Sequence, residues 1–228
     1  MWRISTFRQI ATCLAAVLVA VPAVASAEDL DAMSCRNGGF AGHETFQTAK
    51  IIGEGRAFLL EDMNGCPEAE SCGQAGSPYL VSGDAVLVSR LRLDHACVYF
   101  PNKVGGSAGY VPLSRLQITG YDTVATAEKW LGKWSNYNNP AIAITRRNDG
   151  FHVTGDAFWP GRPGTHDYPS TNIGELNGRL RIFGNRARYN DGYCIVNFFL
   201  IGDFLIASDN FQCGGMNVRF RDVMTRAD

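Results

Sequence analysis

The chain has 228 residues, with 21 Lys+Arg against 22 Asp+Glu and a formal net charge of −1. That near-neutral balance argues against nucleic acid as the main partner. Seven cysteines and an apolar N-terminus direct attention to export and disulfide chemistry.

Arg3 and Arg8 form a short basic region ahead of the apolar run IATCLAAVLVAVPAV (10–24), and Ala25-Ser26-Ala27 follows as a small-residue cleavage signal. This is the pattern of a secretory signal peptide over 1–27, with cleavage before Glu28. A single transmembrane anchor is the rival reading, but the apolar run is short and Pro22 interrupts it, so no stable membrane anchor is expected. Cys13 precedes the apolar core instead of following it, and it is discarded with the signal. Removing 27 of the 228 residues leaves 201, which suits one or two domains of about 100 residues each. The mature chain keeps 19 Lys+Arg against 22 Asp+Glu, a net charge of −3. The expected location is the periplasm or the outside of the cell.

Six cysteines survive processing: Cys35, Cys66, Cys72, Cys97, Cys194 and Cys213. An even count in an exported chain reads as disulfides. Zinc is the competing reading, but the sequence has no CxxC pair, and His43, His95, His152 and His166 show no ligand spacing. No metal and no cofactor is expected.

The mature chain divides near Gly120–Lys129, because Trp130, Trp134 and Trp159 all fall after it. The expected units are 28–120 with an N-terminal arm, a linker over 121–128, and a second domain over 129–228. Both halves read as β. YLVSGDAVLVSR (79–90) gives two short strands around Ser82-Gly83-Asp84, and HACVYF (95–100) a third. AIAITRR and FHVTGDAFW flank Asn148-Asp149-Gly150, where all three residues tolerate positive φ, as a hairpin requires. RLRIF and RARY flank Gly184-Asn185, and YCIVNFFLI and FLIAS flank Gly202-Asp203. No stretch keeps a helical period over three turns. The expected fold is all-β: two antiparallel β domains, each closing on itself to avoid bare edges.

Residues 45–118 resemble a bacterial SH3-like domain of exported proteins. The elements that carry the resemblance are GRAFLLED, GCPEAESC, YLVSGDAVLV, HACVYF and the closing AGYVPLSRL, where Tyr110 stands in place of the family's Trp. The resemblance implies a small barrel that binds and does not catalyse, with relatives that are tethered to cell-wall enzymes or read cell-wall peptide. Tyr99, Phe100 and Tyr110 then have two readings, an exposed aromatic shelf for a ligand or simple core packing. A Cys66–Cys72 bond would close the polar loop PEAES and leave Cys35 and Cys97 for each other, but six cysteines allow 15 pairings and the sequence leaves these two open.

Residues 129–222 resemble a calycin-like barrel of exported bacterial proteins, some of which sit beside lysozyme-inhibitor-type modules. Gly132-x-Trp134 matches the opening G-x-W of lipocalins, and SDNFQCGGMNVRF (208–220) supplies the far end. The resemblance implies that Trp134 plugs one barrel end under an Arg from the last strand, Arg219 or Arg221, by cation–π contact. The chain is short for a lipocalin, so no large cavity is expected. Cys194 and Cys213 lie at the ends of neighbouring antiparallel strands and are expected to pair. The expected architecture is therefore two small antiparallel barrels, SH3-like and then calycin-like, stabilised by disulfides.

A two-residue turn at Gly184-Asn185 sets Phe183 against Arg186, Arg181 against Arg188 and Arg179 against Asn190. Strand alternation puts these on one face, and Leu180, Ile182, Ala187 and Tyr189 on the other. Like charges directly opposite are unfavourable. Either Glu175 and Asp191 offset them, or Arg179, Arg181, Arg186 and Arg188 form a site for an anion or an acidic partner. Two carboxylates in a lysozyme-type cleft would be such a partner.

No G-x-S-x-G elbow and no H-E-x-x-H motif occurs. The loop WPGRPGTHDYP (159–169) holds His166-Asp167, the best place for an unexpected catalytic role, and Trp159 and Tyr168, which are candidate binding anchors. The expected function is that of a non-catalytic exported envelope protein, binding cell-wall glycan or peptide or a lysozyme-like enzyme. The alternatives are a secreted effector or immunity protein acting on another protein, and a hydrolase depending on His166.

Overall fold

The computed structural model describes residues 34–73, 76–120, 125–137, 139–160 and 171–227. Residues 1–27, the expected signal peptide, residues 121–124 of the expected linker, and His166, Asp167 and Tyr168 lie outside the described residues. The fold is all-β, with two one-turn α-helices among the described residues.

The first half opens with helix α1 (Asn37–Phe40) and strands β1 (Gln47–Ile51), β2 (Ala57–Phe58) and β3 (Tyr79–Leu80). It continues with β4 (Ala85–Arg92), β5 (His95–Phe100), β6 (Ser107–Pro112) and β7 (Leu116–Gly120), a 3-10 turn at Leu113–Arg115 joining the last two. Five strands form one sheet in the order β6-β5-β4-β1-β7, and β2 and β3 pair as a separate ribbon. The expected strands at 79–80 and 85–90 exist, but they do not pair with each other: β3 pairs with β2, and β4 with β1 and β5.

Strands β4, β5 and β6 are buried on both faces over most of their length, which explains their near-continuous apolar runs. Val86, Val88, Ala96, Val98 and Val111 pack beneath Leu59 and Leu80. On the opposite face Leu87, Cys97, Tyr99 and Tyr110 pack with Phe40 and Phe46 of the N-terminal arm.

The second half has helix α2 (Ala127–Trp130), which straddles the end of the expected linker at 128, and strands β8 (Gly132–Asn136), β9 (Asn139–Arg147), β10 (Gly150–Pro160) and β11 (Thr171–Phe183). Then come β12 (Arg186–Asn190), β13 (Ile195–Ile201), β14 (Phe204–Asp209) and β15 (Asp222–Arg226). These eight strands close into a barrel. The last contacts to close it are Thr225 with Ser135 and Arg226 with Trp134. Along β11 and β12 exposed residues alternate with inward ones. The interior is filled by Trp134, Ile142, Ile144, Leu176, Phe198 and Leu200, so it is a packed core, as small barrels require.

Trp130 and Trp134 are both fully buried at one barrel end. The Trp134 indole donates to the Trp130 carbonyl at 3.1 Å, and the Trp130 indole to the Gly184 carbonyl at 3.3 Å. The arginine over Trp134 is Arg226, 4.4 Å from the ring centre, and not Arg219 or Arg221. The last strand runs over Asp222–Arg226, so Arg219 and Arg221 precede it and stack on Phe211 instead.

The two halves share a core. Ile201, Ile206 and Val223 project outward from β13, β14 and β15 into the cluster that holds Phe40, Phe46, Tyr99 and Tyr110. Phe46 meets Phe199 edge-on at 5.1 Å. Asn136 of β8 donates to Gly105 at 3.1 Å and to Asp222 at 2.8 Å.

Three disulfides join Cys35 to Cys97, Cys66 to Cys72 and Cys194 to Cys213. The first spans 62 residues and fastens the arm to β5, and the second spans only 6. In the loop-entropy account these contribute about 4 and about 2 kcal/mol. With their thiols consumed, none of the six serves as a zinc ligand. They fit an oxidising compartment. Among the described residues no helix is long and apolar enough to cross a membrane.

Candidate functional site

The hairpin of β11 and β12 turns through Gly184 and Asn185, with Phe183 paired to Arg186 and Arg181 to Arg188. Leu180, Ala187 and Tyr189 point into the barrel, and Ile182 is half-buried against its core. Arg179, Arg181, Arg186 and Arg188 stand exposed on the outer wall.

The four arginines do not have equal surroundings. Arg179 donates to the Asp149 carbonyl at 2.6 Å and lies 3.9 Å from its carboxylate. The Asp149 carboxylate also sits 2.8 Å from His152 Nε2, and that contact holds its pKa below the ordinary value. The Arg186 guanidinium lies 4.3 Å over the Phe199 ring and reaches the Glu44 carbonyl at 3.5 Å.

Arg181 and Arg188 face each other, and among the described residues no carboxylate lies within 4.0 Å of either. The expected counter-charges are engaged elsewhere. Asp191 accepts the amides of Tyr193 and Cys194 and the Tyr189 hydroxyl. Glu175 accepts from the Asn177 side chain. Arg188 pairs in register with Asn197, and Asn197 with Ser208, so a polar row continues round the wall. A groove of about 610 Å³ runs between this row and the arm at Ala41–Thr45.

The aromatic shelf does not form. Tyr110 and Tyr99 are 1% and 3% exposed, and Phe100 is half-buried against the core of the first sheet. Cys97 pairs with Tyr110 in register, so both tyrosines share the face that packs on the barrel. The Tyr99 hydroxyl donates to the Gly105 carbonyl at 2.6 Å, and burial pushes its pKa up. A Cβ at Gly106, where φ is +89°, would fall on that hydroxyl. The glycines before Tyr110 thus serve close packing.

Trp159 is 49% exposed at the barrel end opposite Trp134. The loop over 210–221 crosses that end. It is held by Cys194–Cys213 and by Asn210, whose side chain accepts from Ile195 and donates to the Tyr193 carbonyl. Gly174 and Gly214 let the two backbones touch: a Cβ on Gly174 would fall on the Cys213 carbonyl oxygen.

The sequence offers Asp203 and Asp209 only as an acid pair with no motif around it, and the structure buries Asp209, 5% exposed, behind this loop. Its Oδ2 accepts the Phe220 amide at 2.8 Å. Burial raises its carboxyl above the ordinary 3.8, outweighing the Phe220 amide and the charges of Arg221 and Arg219. A raised carboxyl favours the neutral form in the folded state. The stability it contributes is present below pH 3.8 and is lost as pH rises through the folded pKa. Asp209→Asn is therefore expected to gain stability over the parent as pH rises from 3 to 7 in urea titrations, and a gap that stays constant with pH would contradict the assignment.

No family model matches this chain, and no curated protein or solved structure matches it.

Proposed function

We propose that the protein is a non-catalytic exported binding protein of the bacterial envelope, whose arginine wall engages a protein that displays clustered carboxylates. A lysozyme-like enzyme, with two acids in its cleft, is the partner that this chemistry fits best. One observation carries the reading: Arg181 and Arg188 stand opposite each other with no acid beside them among the described residues. A cross-strand pair of like charges is unfavourable alone, and a carboxylate from outside relieves it, bidentately if geometry permits. Phe183, 66% exposed on the same wall, adds the aromatic-plus-arginine composition of protein interfaces. That composition also favours the second reading, an effector or immunity protein acting on another protein, over recognition of a neutral glycan.

The closed eight-stranded barrel with Trp134 in its first strand supports the calycin-like reading of the second half. The 3-10 turn between β6 and β7 is compatible with an SH3-like first half. The leader and the three disulfides support the periplasm or the extracellular space.

Lysozyme inhibition assays and pull-downs test the proposal. The parent is expected to bind, and Arg181→Ala/Arg188→Ala to lose about tenfold or more in affinity, with binding that weakens as salt rises. A double variant that binds as tightly as the parent would remove the arginine wall from the reading. Recovery of one different stoichiometric protein, with lysozyme unaffected, would move it to the effector or immunity class.

A further inference from the structure

A second concave surface lies at the barrel end remote from Trp134, and it shares no lining residue with the groove at the arginine wall. It encloses about 420 Å³, within the ~300–1,000 Å³ of small-molecule sites. Aromatic rings from two elements border it: Phe158 and Trp159 at the end of β10, and Phe211 in the loop after β14. Arg36, Arg219 and Arg221 line the same space.

The arrangement is built, not incidental. Phe211 holds φ at +62°, a conformation that costs a bulky residue free energy and persists only when its surroundings enforce it. Here Arg219 and Arg221 hold it, with guanidinium carbons 4.5 and 4.2 Å from the ring centre. The Cys194–Cys213 bond and the Asn210 clamp fix the loop on either side. Arg219 places one N–H on the Val218 carbonyl at 2.8 Å, and a guanidinium carries five donors in a plane. On the solvent side, Phe158 and Trp159 are 61% and 49% exposed. Their ring surface is therefore open to a ligand at the rim.

The chemistry of the lining narrows the ligand. An exposed indole stacks on the C–H face of a sugar ring. Ser34, Asn217 and the α1 backbone at Gly38–Gly39 offer polar partners for ring hydroxyls. Arg36 is paired with Asp62 at 2.9 Å, and Asp209 lies behind Arg219 and Arg221. Arg219 and Arg221, stacked on Phe211, offer planar donor forks of the kind that bind a carboxylate bidentately.

We infer that the pocket bounded by Trp159, Phe211, Arg219 and Arg221 binds an acidic sugar, a pyranose carrying a carboxylate, with the ring on Trp159 and the carboxylate on the arginines. The inference does not depend on the arginine wall. Uronic acids and muramic acids share this chemistry.

Titration of the full mature protein, followed by tryptophan fluorescence and calorimetry, tests it. The probes are glucuronate oligomers, muramate-containing glycan fragments and a neutral gluco-oligomer of the same length. At least one acidic probe is expected to bind about tenfold more tightly than the neutral one, and the tighter acidic probe identifies the source. Trp159→Ala and Arg219→Gln, both at surface-accessible positions, are expected to weaken acidic-probe binding about tenfold or more, while Arg181→Ala/Arg188→Ala leaves it unchanged. Thermal melts of each variant show whether it is folded. The inference is overturned if neither acidic probe binds, if acidic and neutral probes bind equally, or if folded Trp159→Ala and Arg219→Gln variants bind as the parent does. Loss in the Arg181/Arg188 variant alone would also overturn it, by moving the anion to the other wall.

Discussion

Tyr110→Ala is expected to lower the unfolding midpoint reported by tryptophan fluorescence, although Trp130, Trp134 and Trp159 all lie in the barrel and Tyr110 lies in β6. Tyr110 is 1% exposed and belongs to the cluster that Ile201, Ile206 and Val223 complete from the barrel wall. Truncating a fully buried aromatic costs about 3–5 kcal/mol, through lost burial and the cavity left behind. Because that cavity opens between the halves, the loss should reach both. Urea denaturation followed by fluorescence and by far-ultraviolet circular dichroism checks this. Coincident, lowered transitions are expected. An unchanged tryptophan transition would show that the halves unfold independently and that the shared core is weak. Leu93→Ala, at the exposed tip of the β4–β5 hairpin, is the control and should stay within about 0.5 kcal/mol of the parent.

Trp134→Ala is expected to cost about 3–5 kcal/mol or to prevent folding. The side chain is completely buried, and its removal also deprives the Trp130 carbonyl of its donor. Arg226 closes this end from outside, donating to Leu131 at 2.7 Å and Lys129 at 2.6 Å while covering the Trp134 ring. Arg226→Ala should therefore cost about 1–3 kcal/mol, from two charge-assisted bonds and the stacking. Arg219→Ala should cost less, because Arg219 covers Phe211 near the surface. Midpoints in the order parent, Arg219→Ala, Arg226→Ala, Trp134→Ala would support this closure. Equal losses from the two arginines would contradict it.

The hairpin at 179–190 was legible from alternation alone. A side-chain period of two and a two-residue turn leave a single register, so Arg181 had to meet Arg188 once the turn was placed. Whether those charges were neutralised was not legible. Glu175 and Asp191 are near in sequence, yet Asp191 turns back to cap its own loop. Asp149, contributed by a different hairpin, is the acid that reaches Arg179. Tyr110 failed for a related reason. A tyrosine after glycines reads equally well as an exposed rim or a buried face, and the deciding surface belongs to strands some 90 residues further along.

The signal-peptide pattern, the all-β reading and the hairpin turns at 148–150, 184–185 and 202–203 come from local rules: hydropathy, period-two alternation and the φ angles that Gly, Asn and Asp allow. The Cys194–Cys213 pairing followed from strand adjacency, whereas the sequence left the pairing of Cys35, Cys66, Cys72 and Cys97 open, and the structure joins Cys35 to Cys97 and Cys66 to Cys72. Only the tertiary structure decided which arginine covers Trp134, which tyrosines are buried, and that the first sheet packs on the barrel wall. Each of these depends on contacts between distant residues. Strand pairing sets which way a side chain points, but the second surface that buries it or leaves it exposed comes from another part of the chain.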